Sequence, residues 1–154
     1  MNEYLIVKTL HILSATVLFG TGIGIAFNKW INDRSGDVRA IRTSNEQTVI
    51  ADWLFTAPAG IVQLATGLRL AALAGYSVFE GWLFIALMLF LFALACWLPV
   101  VWLQYRMRDL ARIAQMSNLA LPAQYWRYAC IWFWLGVPAF CALVVVFWLM
   151  VSKP

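Results

Sequence analysis

Four apolar runs of membrane-spanning length constrain this chain more than any other feature of its sequence. They cover residues 5–27, 49–73, 82–103 and 128–151. A helix needs about 20 apolar residues to cross the hydrocarbon core of a bilayer. Because backbone polar groups in lipid need internal partners, only helices suit such runs. The sequence therefore predicts an all-α polytopic membrane protein, an up-down bundle of four transmembrane helices that forms one domain over residues 1–154.

The composition supports a lipid environment. Hydrophobic residues make up 64% of the chain and charged residues 12%, whereas soluble domains are about half apolar and about a quarter charged. A chain of 17.5 kDa cannot bury that much apolar surface inside a globule. We therefore expect the lipid bilayer as a partner. Nucleic acid is excluded as a partner, because the basic residues form short clusters beside the spans without a folded reader domain.

The distribution of cations predicts the orientation. Eight lysine and arginine residues cluster between the first and second runs and around the gap between the third and fourth. The connection at 74–81 carries no cation and contains Glu80. The positive-inside rule then places both termini on the extracytoplasmic side, with the cations near anionic lipid headgroups. The clustered cations are Lys29, Arg34, Arg39, Arg42, Arg106, Arg108, Arg112 and Arg127.

The single histidine, His11, lies inside the first apolar run, roughly 9 Å below the outer membrane boundary at 1.5 Å per residue. Ionisable groups at membrane depth often mark function. One interpretation makes His11 the metal ligand of a haem b, with Arg69 and Lys8 binding its propionates. In the other, His11 hydrogen-bonds a neighbouring helix and Arg69 reaches the headgroups. With one histidine, a bis-histidine haem within one chain is excluded.

Other polar and small residues in the spans leave alternatives open. Gly20 and Gly24 have the spacing of a helix-packing motif, which serves either a homodimer or packing within the chain. Asp52 lies near the start of the second run and can relay protons, although we favour a role in complementing the helix dipole. Pro58 predicts a kink or opened carbonyl groups, and Gln63 predicts an interhelical hydrogen bond.

The chain resembles a family of predicted bacterial integral membrane proteins, domain of unknown function 2269, over nearly its whole length. The resemblance is carried by YLIVKTLHILSATVLFGTGIGIAF, ADWLFTAPAGIVQLATG, ACWLPVVWLQYRMRDLA and GVPAFCALVVVFWLMVSKP. It implies a location in the bacterial inner membrane, and it implies no activity.

More distantly, the layout resembles the J-type haem-dependent protoporphyrinogen oxidases and the copper-resistance D-type membrane domains. The helix 1 histidine is a haem ligand in those relatives, so the resemblance implies the same role for His11. Two departures separate the chain from the oxidases: Cys96-Trp97-Leu98-Pro99 stands where they have a further histidine, and Gly136 where they tend to have an acidic residue. These two departures weigh against protoporphyrinogen oxidation, and they leave open haem binding without that activity or a degenerate scaffold. The matching positions are Lys8 and His11, Thr56-Ala57-Pro58 with Thr66 and Gly67, Val137-Pro138, and Lys153-Pro154.

Two hypotheses follow. In the first, the protein binds one haem b or a related porphyrin in a redox role and exchanges electrons with quinone. The sixth iron position is then open or supplied by another subunit. In the second, it is a non-enzymatic membrane subunit or scaffold that supports a partner protein or a homo-oligomer. The sequence leaves open whether it is an enzyme, and permeation ranks lowest because few polar groups line any path.

Overall fold

The computed structural model describes residues 2–153, and this part of the chain is helical with short connections and no strand. Three segments, α2, a π-helical turn and α3, form one continuous span over Val38–Ala74. Four helices are thus long and apolar enough to cross a membrane, which confirms the predicted all-α class. The elements are α1 (Glu3–Ser35), α2 (Val38–Ala51), the π-helical turn (Asp52–Thr56), α3 (Ala57–Ala74), α4 (Gly81–Met116) and α5 (Ala123–Ser152).

The helices contain the predicted apolar runs and extend beyond them. The first helix continues past residue 27 to Ser35, and α4 continues past residue 103 to Met116. The second span begins at Val38 rather than near residue 49. Apolar length measures the part of a helix that lipid covers, whereas the hydrogen-bonded backbone can continue into the polar interface. The favoured interpretation of Asp52 as a first-turn carboxylate is therefore wrong, because this residue lies in the middle of a long span.

The first two helices are joined by a tight turn of two residues. The Asn2 side chain caps the start of α1 by accepting a hydrogen bond from the Tyr4 amide at 3.1 Å. Gly36 follows the end of α1 with a φ of 69°, a left-handed conformation that glycine adopts without a steric penalty. Asp37 then caps α2 by accepting from the Arg39 amide at 2.9 Å. The turn sets α1 and α2 side by side and antiparallel.

A π-helical turn interrupts the second span directly before Pro58. Proline has no backbone N–H and cannot continue the regular hydrogen-bond ladder of a helix. The Ala57 amide bonds to the carbonyl of Asp52, five residues back, instead of four. Such single π turns occur often at functional sites, and here the turn begins at a buried carboxylate.

The packing is uneven along the bundle. The most extensive contact joins α4 and α5, while α1 packs on both α2 and α3, and α2 packs on α4. The hydrophobic core lies at the end that holds the connections 36–37 and 117–122, which we call the basic end. The opposite end, with the connection 75–80 and both chain ends, is called the terminal end. The core residues are Ile41, Leu103, Met107, Ala111 and Tyr125.

Most of the large apolar side chains between the two ends point outward, as expected for helices that face lipid. Trp134 and Trp148, for example, are 65% and 69% exposed. Pro154, the last residue of the closing Lys-Pro pair in the resemblance above, lies outside the described residues.

Candidate functional site

His11 lies on the face of α1 that packs against α3. Its Nδ1 lies 2.9 Å from the Thr66 hydroxyl, and its Nε2 lies 3.0 Å from the Gln63 amide nitrogen. Ser14, one turn further along α1, donates to the Gln63 side-chain oxygen at 2.6 Å. We call these four residues the histidine network. The network connects α1 to α3 in the half of the bundle that is nearer the terminal end.

The hydrogen-bond donors in the histidine network determine which nitrogen of the imidazole carries the proton. Because the Gln63 oxygen accepts from Ser14, its amide nitrogen donates to Nε2 of His11. The Thr66 hydroxyl donates to the Val62 carbonyl at 2.6 Å, so it accepts from Nδ1. From these hydrogen-bond partners the ring is assigned as neutral, with its proton on Nδ1.

Gly67 allows the imidazole to lie directly against α3. A Cβ atom added at this glycine would lie 3.2 Å from Cε1 of His11, closer than ordinary van der Waals contact. Absence of a side chain at Gly67 therefore brings the ring within hydrogen-bonding distance of Gln63 and Thr66. By contrast, a Cβ atom added at Gly60 on the same helix would meet nothing within 4 Å.

The other two residues predicted to hold a porphyrin are engaged elsewhere. Arg69 pairs with Glu3, with its Nε 2.8 Å from the carboxylate oxygen, and both side chains are about half exposed. The Lys8 ammonium lies 5.7 Å from the centre of the Tyr4 ring. The structure brings Thr66 and Gln63 to His11, and it brings neither predicted cation there.

As placed, the histidine network does not fit axial ligation of a haem. Ligation needs the free lone pair of an imidazole nitrogen, and the Gln63 amide takes the lone pair of Nε2. Within residues 2–153, no group of three or more histidine, cysteine or acidic side chains is placed to hold a metal ion.

A second polar centre lies at the basic end and was not predicted. Lys29 is only 2% exposed, although the sequence favoured a contact with lipid headgroups for it. Its ammonium donates to Asp33 at 3.0 Å, to the Asn45 side-chain oxygen at 3.3 Å and to the Tyr125 hydroxyl at 2.8 Å. We call these four residues the lysine cluster. The headgroup interpretation is wrong for Lys29 because its three N–H groups all have partners inside the bundle.

The other members of the lysine cluster also form hydrogen bonds with one another. The Tyr125 hydroxyl donates to Asp33 at 2.6 Å and accepts from the Asn45 amide at 2.9 Å. The same amide donates to the Ile41 carbonyl at 2.7 Å. Residues from α1, α2 and α5 therefore meet around one buried ammonium, which makes the cluster a clamp between three helices.

A third polar feature follows one face of the second span. Ser44, Thr48, Asp52 and Thr56 recur every four residues, and each has a buried side-chain oxygen without a hydrogen-bond partner among residues 2–153. We call these residues the unpaired row. Side chains spaced by four lie on the same face of a helix. The spacing was visible in the sequence, whereas the burial of all four oxygens is seen only in the structure.

Comparison with known proteins gives a family and nothing more specific. A model of the family described as predicted integral membrane protein (DUF2269) matches residues 5–154. No curated protein matches the chain, and no solved structure matches it. The distant resemblance to haem-dependent oxidases and copper-resistance domains therefore stays a prediction.

Proposed function

We propose that this chain, which belongs to the DUF2269 family of predicted integral membrane proteins, acts as a non-enzymatic membrane subunit that supports a partner. One observation carries this proposal. The groups best suited to ligand chemistry, His11 and Lys29, use their polar atoms to hold helices together. We further propose that the subunit lies in the bacterial inner membrane with both termini outside, since the cations cluster at one end of the bundle.

The glycine face of α1 is the surface we propose for association. A Cβ atom added at Gly20 or Gly24 would meet nothing within 4 Å, so close packing within the chain does not require glycine at either position. Small residues spaced by four allow a helix from another subunit to approach closely. A second copy of this chain is the simplest partner for such a face.

Energy transfer between labelled full-length copies in liposomes tests this role. We expect association in the wild type, and we expect Gly20→Leu with Gly24→Leu to reduce it. Gly22→Leu is the matched control, because Gly22 also has open space around it but lies on another face of α1. Equal association in both variants would contradict the proposed surface.

Binding of haem b or a related porphyrin, with His11 as the iron ligand, is the second candidate, and it requires a rearrangement of the histidine network. With the proton on Nδ1, Nε2 of His11 is the acceptor nitrogen, which is the form in which imidazole ligates iron. Binding would require Gln63 to leave this nitrogen, with Arg69 and Lys8 turning to the propionates. A bound haem would supply one-electron chemistry, for which quinone is the proposed exchange partner.

A visible spectrum of the protein, purified in mild detergent from haem-replete cells, separates the two candidates. Haem binding predicts a Soret band that His11→Ala removes and that Gln63→Ala keeps or strengthens, because that change frees Nε2. The subunit proposal predicts a colourless protein in all three cases. A Soret band in the wild type that His11→Ala removes would overturn the subunit proposal.

A further inference from the structure

The eight clustered cations of the basic end fall into two groups. Half of them pair with a carboxylate of the chain. The other half are exposed and have no ion-pair partner among residues 2–153. An exposed guanidinium without an ion pair keeps its N–H donors for groups outside the chain. The cations of this second group are Arg34, Arg39, Arg106 and Arg127.

Arg106 lies over an aromatic surface to which two helices contribute. Its guanidinium carbon lies 5.5 Å from the centre of the Trp102 ring, one turn earlier on α4. The Tyr128 ring of α5 packs edge-on against the same indole, with the ring centres 5.7 Å apart. Gln124, one turn earlier on α5, donates to the Tyr128 hydroxyl at 2.7 Å. We call Trp102, Arg106, Gln124 and Tyr128 the arginine patch.

The two polar ends of the arginine patch lie at the same depth. Because α4 and α5 are antiparallel neighbours, rising residue numbers on α4 and falling numbers on α5 both lead toward the basic end. Arg106 and Gln124 each lie one turn beyond the contact of Trp102 with Tyr128, or about 6 Å along the helix axis. Tryptophan and tyrosine are enriched at the headgroup level of a bilayer. The guanidinium and the amide therefore lie on the water side of an aromatic pair.

The arginine patch is rich in hydrogen-bond donors. The Gln124 amide has two N–H groups and gives one of them to Tyr128. The Tyr128 hydroxyl accepts this bond, so its own proton is left to donate elsewhere. Arg106 adds a positive charge that no carboxylate of the described residues neutralises. A guanidinium, a hydroxyl proton and an amide N–H together suit an anion.

An apolar stripe continues from the arginine patch toward the middle of the membrane. Leu98 and Leu94 precede Trp102 on α4 at intervals of four residues, which places them along one side of the helix. All three side chains are exposed. The order along this side of α4 is thus aliphatic, indole and guanidinium. A phospholipid has the matching order of acyl chain, glycerol region and phosphate.

The charge around the arginine patch is positive. Residues 81–152, which contain α4 and α5, have four arginines and one acidic residue, Asp109. Asp109 lies three residues after Arg106, and it pairs with Arg108 at 2.8 Å. Basic sites beside transmembrane helices attract anionic lipids. This excess of cations complements a headgroup with a net negative charge better than a zwitterionic one.

We propose that the arginine patch binds the phosphate headgroup of an anionic phospholipid, whose acyl chain lies along Leu98 and Leu94. Arg106 is the main ligand, because a guanidinium can donate to two phosphate oxygens at once. Tyr128 and Gln124 supply further donors from the second helix. This property does not depend on whether the protein supports a partner.

Arg34 provides a comparison within the same chain. Its guanidinium carbon lies 5.0 Å from the centre of the Trp30 ring, and Trp30 stacks with Phe27. All three residues belong to α1. The stacked pair therefore has the charge and the indole of the arginine patch without the hydroxyl and the amide of a second helix.

Quenching of tryptophan fluorescence by brominated lipids tests where the anionic lipid binds. The full chain is placed in phosphatidylcholine liposomes that contain phosphatidylglycerol, with one of the two lipids brominated. We expect stronger quenching by phosphatidylglycerol than by phosphatidylcholine at equal bromine content. Trp102→Phe should remove most of this difference, whereas the control Trp30→Phe should keep most of it. Equal quenching by both lipids in the wild type, or equal effects of the two variants, would overturn the proposal.

The same measurement tests the role of the charge. Arg106→Gln is expected to remove most of the difference between the two lipids. Arg34→Gln is the matched control, because it removes an equal charge from beside an exposed tryptophan on α1, and it is expected to keep most of the difference. Equal losses in the two variants would overturn the site, since attraction to the net charge of the basic end would then explain them.

Removal of one hydroxyl group tests the contribution of the second helix. Tyr128→Phe keeps the ring against Trp102 and is expected to reduce the difference between the two lipids. Tyr76→Phe is the matched control, because Tyr76 makes a similar edge-on contact with Trp82 at the terminal end, and it is expected to change nothing. Wild-type behaviour of Tyr128→Phe would contradict a site shared by α4 and α5.

Discussion

The lysine cluster and the histidine network are built from similar hydrogen bonds but connect the bundle differently. In the lysine cluster, Lys29 lies almost fully buried and joins α1 to α2 and α5. In the histidine network, the half-buried His11 joins α1 to α3 alone. The first cluster contains an ion pair, whereas the second is neutral.

This difference follows from where each network lies. The lysine cluster adjoins the hydrophobic core of the basic end, where Tyr125 belongs to both. There a charge is expensive to leave unpaired, because little water reaches it. The histidine network lies where the helices expose most of their surface outward, so its loss leaves fewer buried groups without partners. The basic end is therefore expected to control stability.

Removal of the buried charge is expected to have the largest effect. Lys29→Met leaves Asp33 and Tyr125 without their common donor, and we expect a loss of about 3–5 kcal/mol in the free energy of unfolding. Denaturation in bicelles measures it. Lys8→Met serves as the control, since Lys8 is exposed beside Tyr4. Equal losses in the two variants would show that the cluster is not a clamp.

Removal of one hydroxyl from the same cluster is expected to cost less. Tyr125→Phe keeps the ring in the core but removes the group that bridges Lys29, Asp33 and Asn45. We expect a loss of about 1–3 kcal/mol. The double variant with Lys29→Met should lose less than the sum of the single losses. Strict additivity would mean that the two residues act independently.

The histidine network is expected to contribute less again. Gln63→Leu keeps a similar volume and removes the bonds to both His11 and Ser14. Hydrogen bonds between membrane helices average about 0.6 kcal/mol, with a maximum of about 1.7 kcal/mol, so we expect a loss in that range. A loss of unfolding free energy equal to that of Lys29→Met would contradict the expectation that the basic end controls stability.

The smallest effect is expected at the terminal surface. Arg69→Ala breaks the pair with Glu3, and both side chains are about half exposed. Exposed ion pairs contribute at most about 1 kcal/mol and are screened by salt. We expect the difference from the wild type to shrink as the salt concentration rises. A loss that is independent of salt would indicate a packing role for Arg69.

Individual residues show how far the sequence could predict the site. His11 stood out because it is the single histidine and lies in an apolar run, and one of the two interpretations was a hydrogen bond to a neighbouring helix. Its partners Gln63 and Thr66 lie more than fifty positions away. Nothing local in the sequence selects them among the other polar residues of the second run. The part played by Gly67 likewise became visible only when α1 lay against α3.

The apolar runs alone determined that four helices cross a membrane, because lipid leaves the backbone no other way to satisfy its polar groups. Only the tertiary structure decided that Lys29 is buried, since its partner Tyr125 is 96 residues away. It also decided that the second span begins at Val38 and places Asp52 under α4 rather than at a helix start. Hydropathy depends on each residue's own transfer into lipid, whereas burial of a polar group depends on which helices surround it.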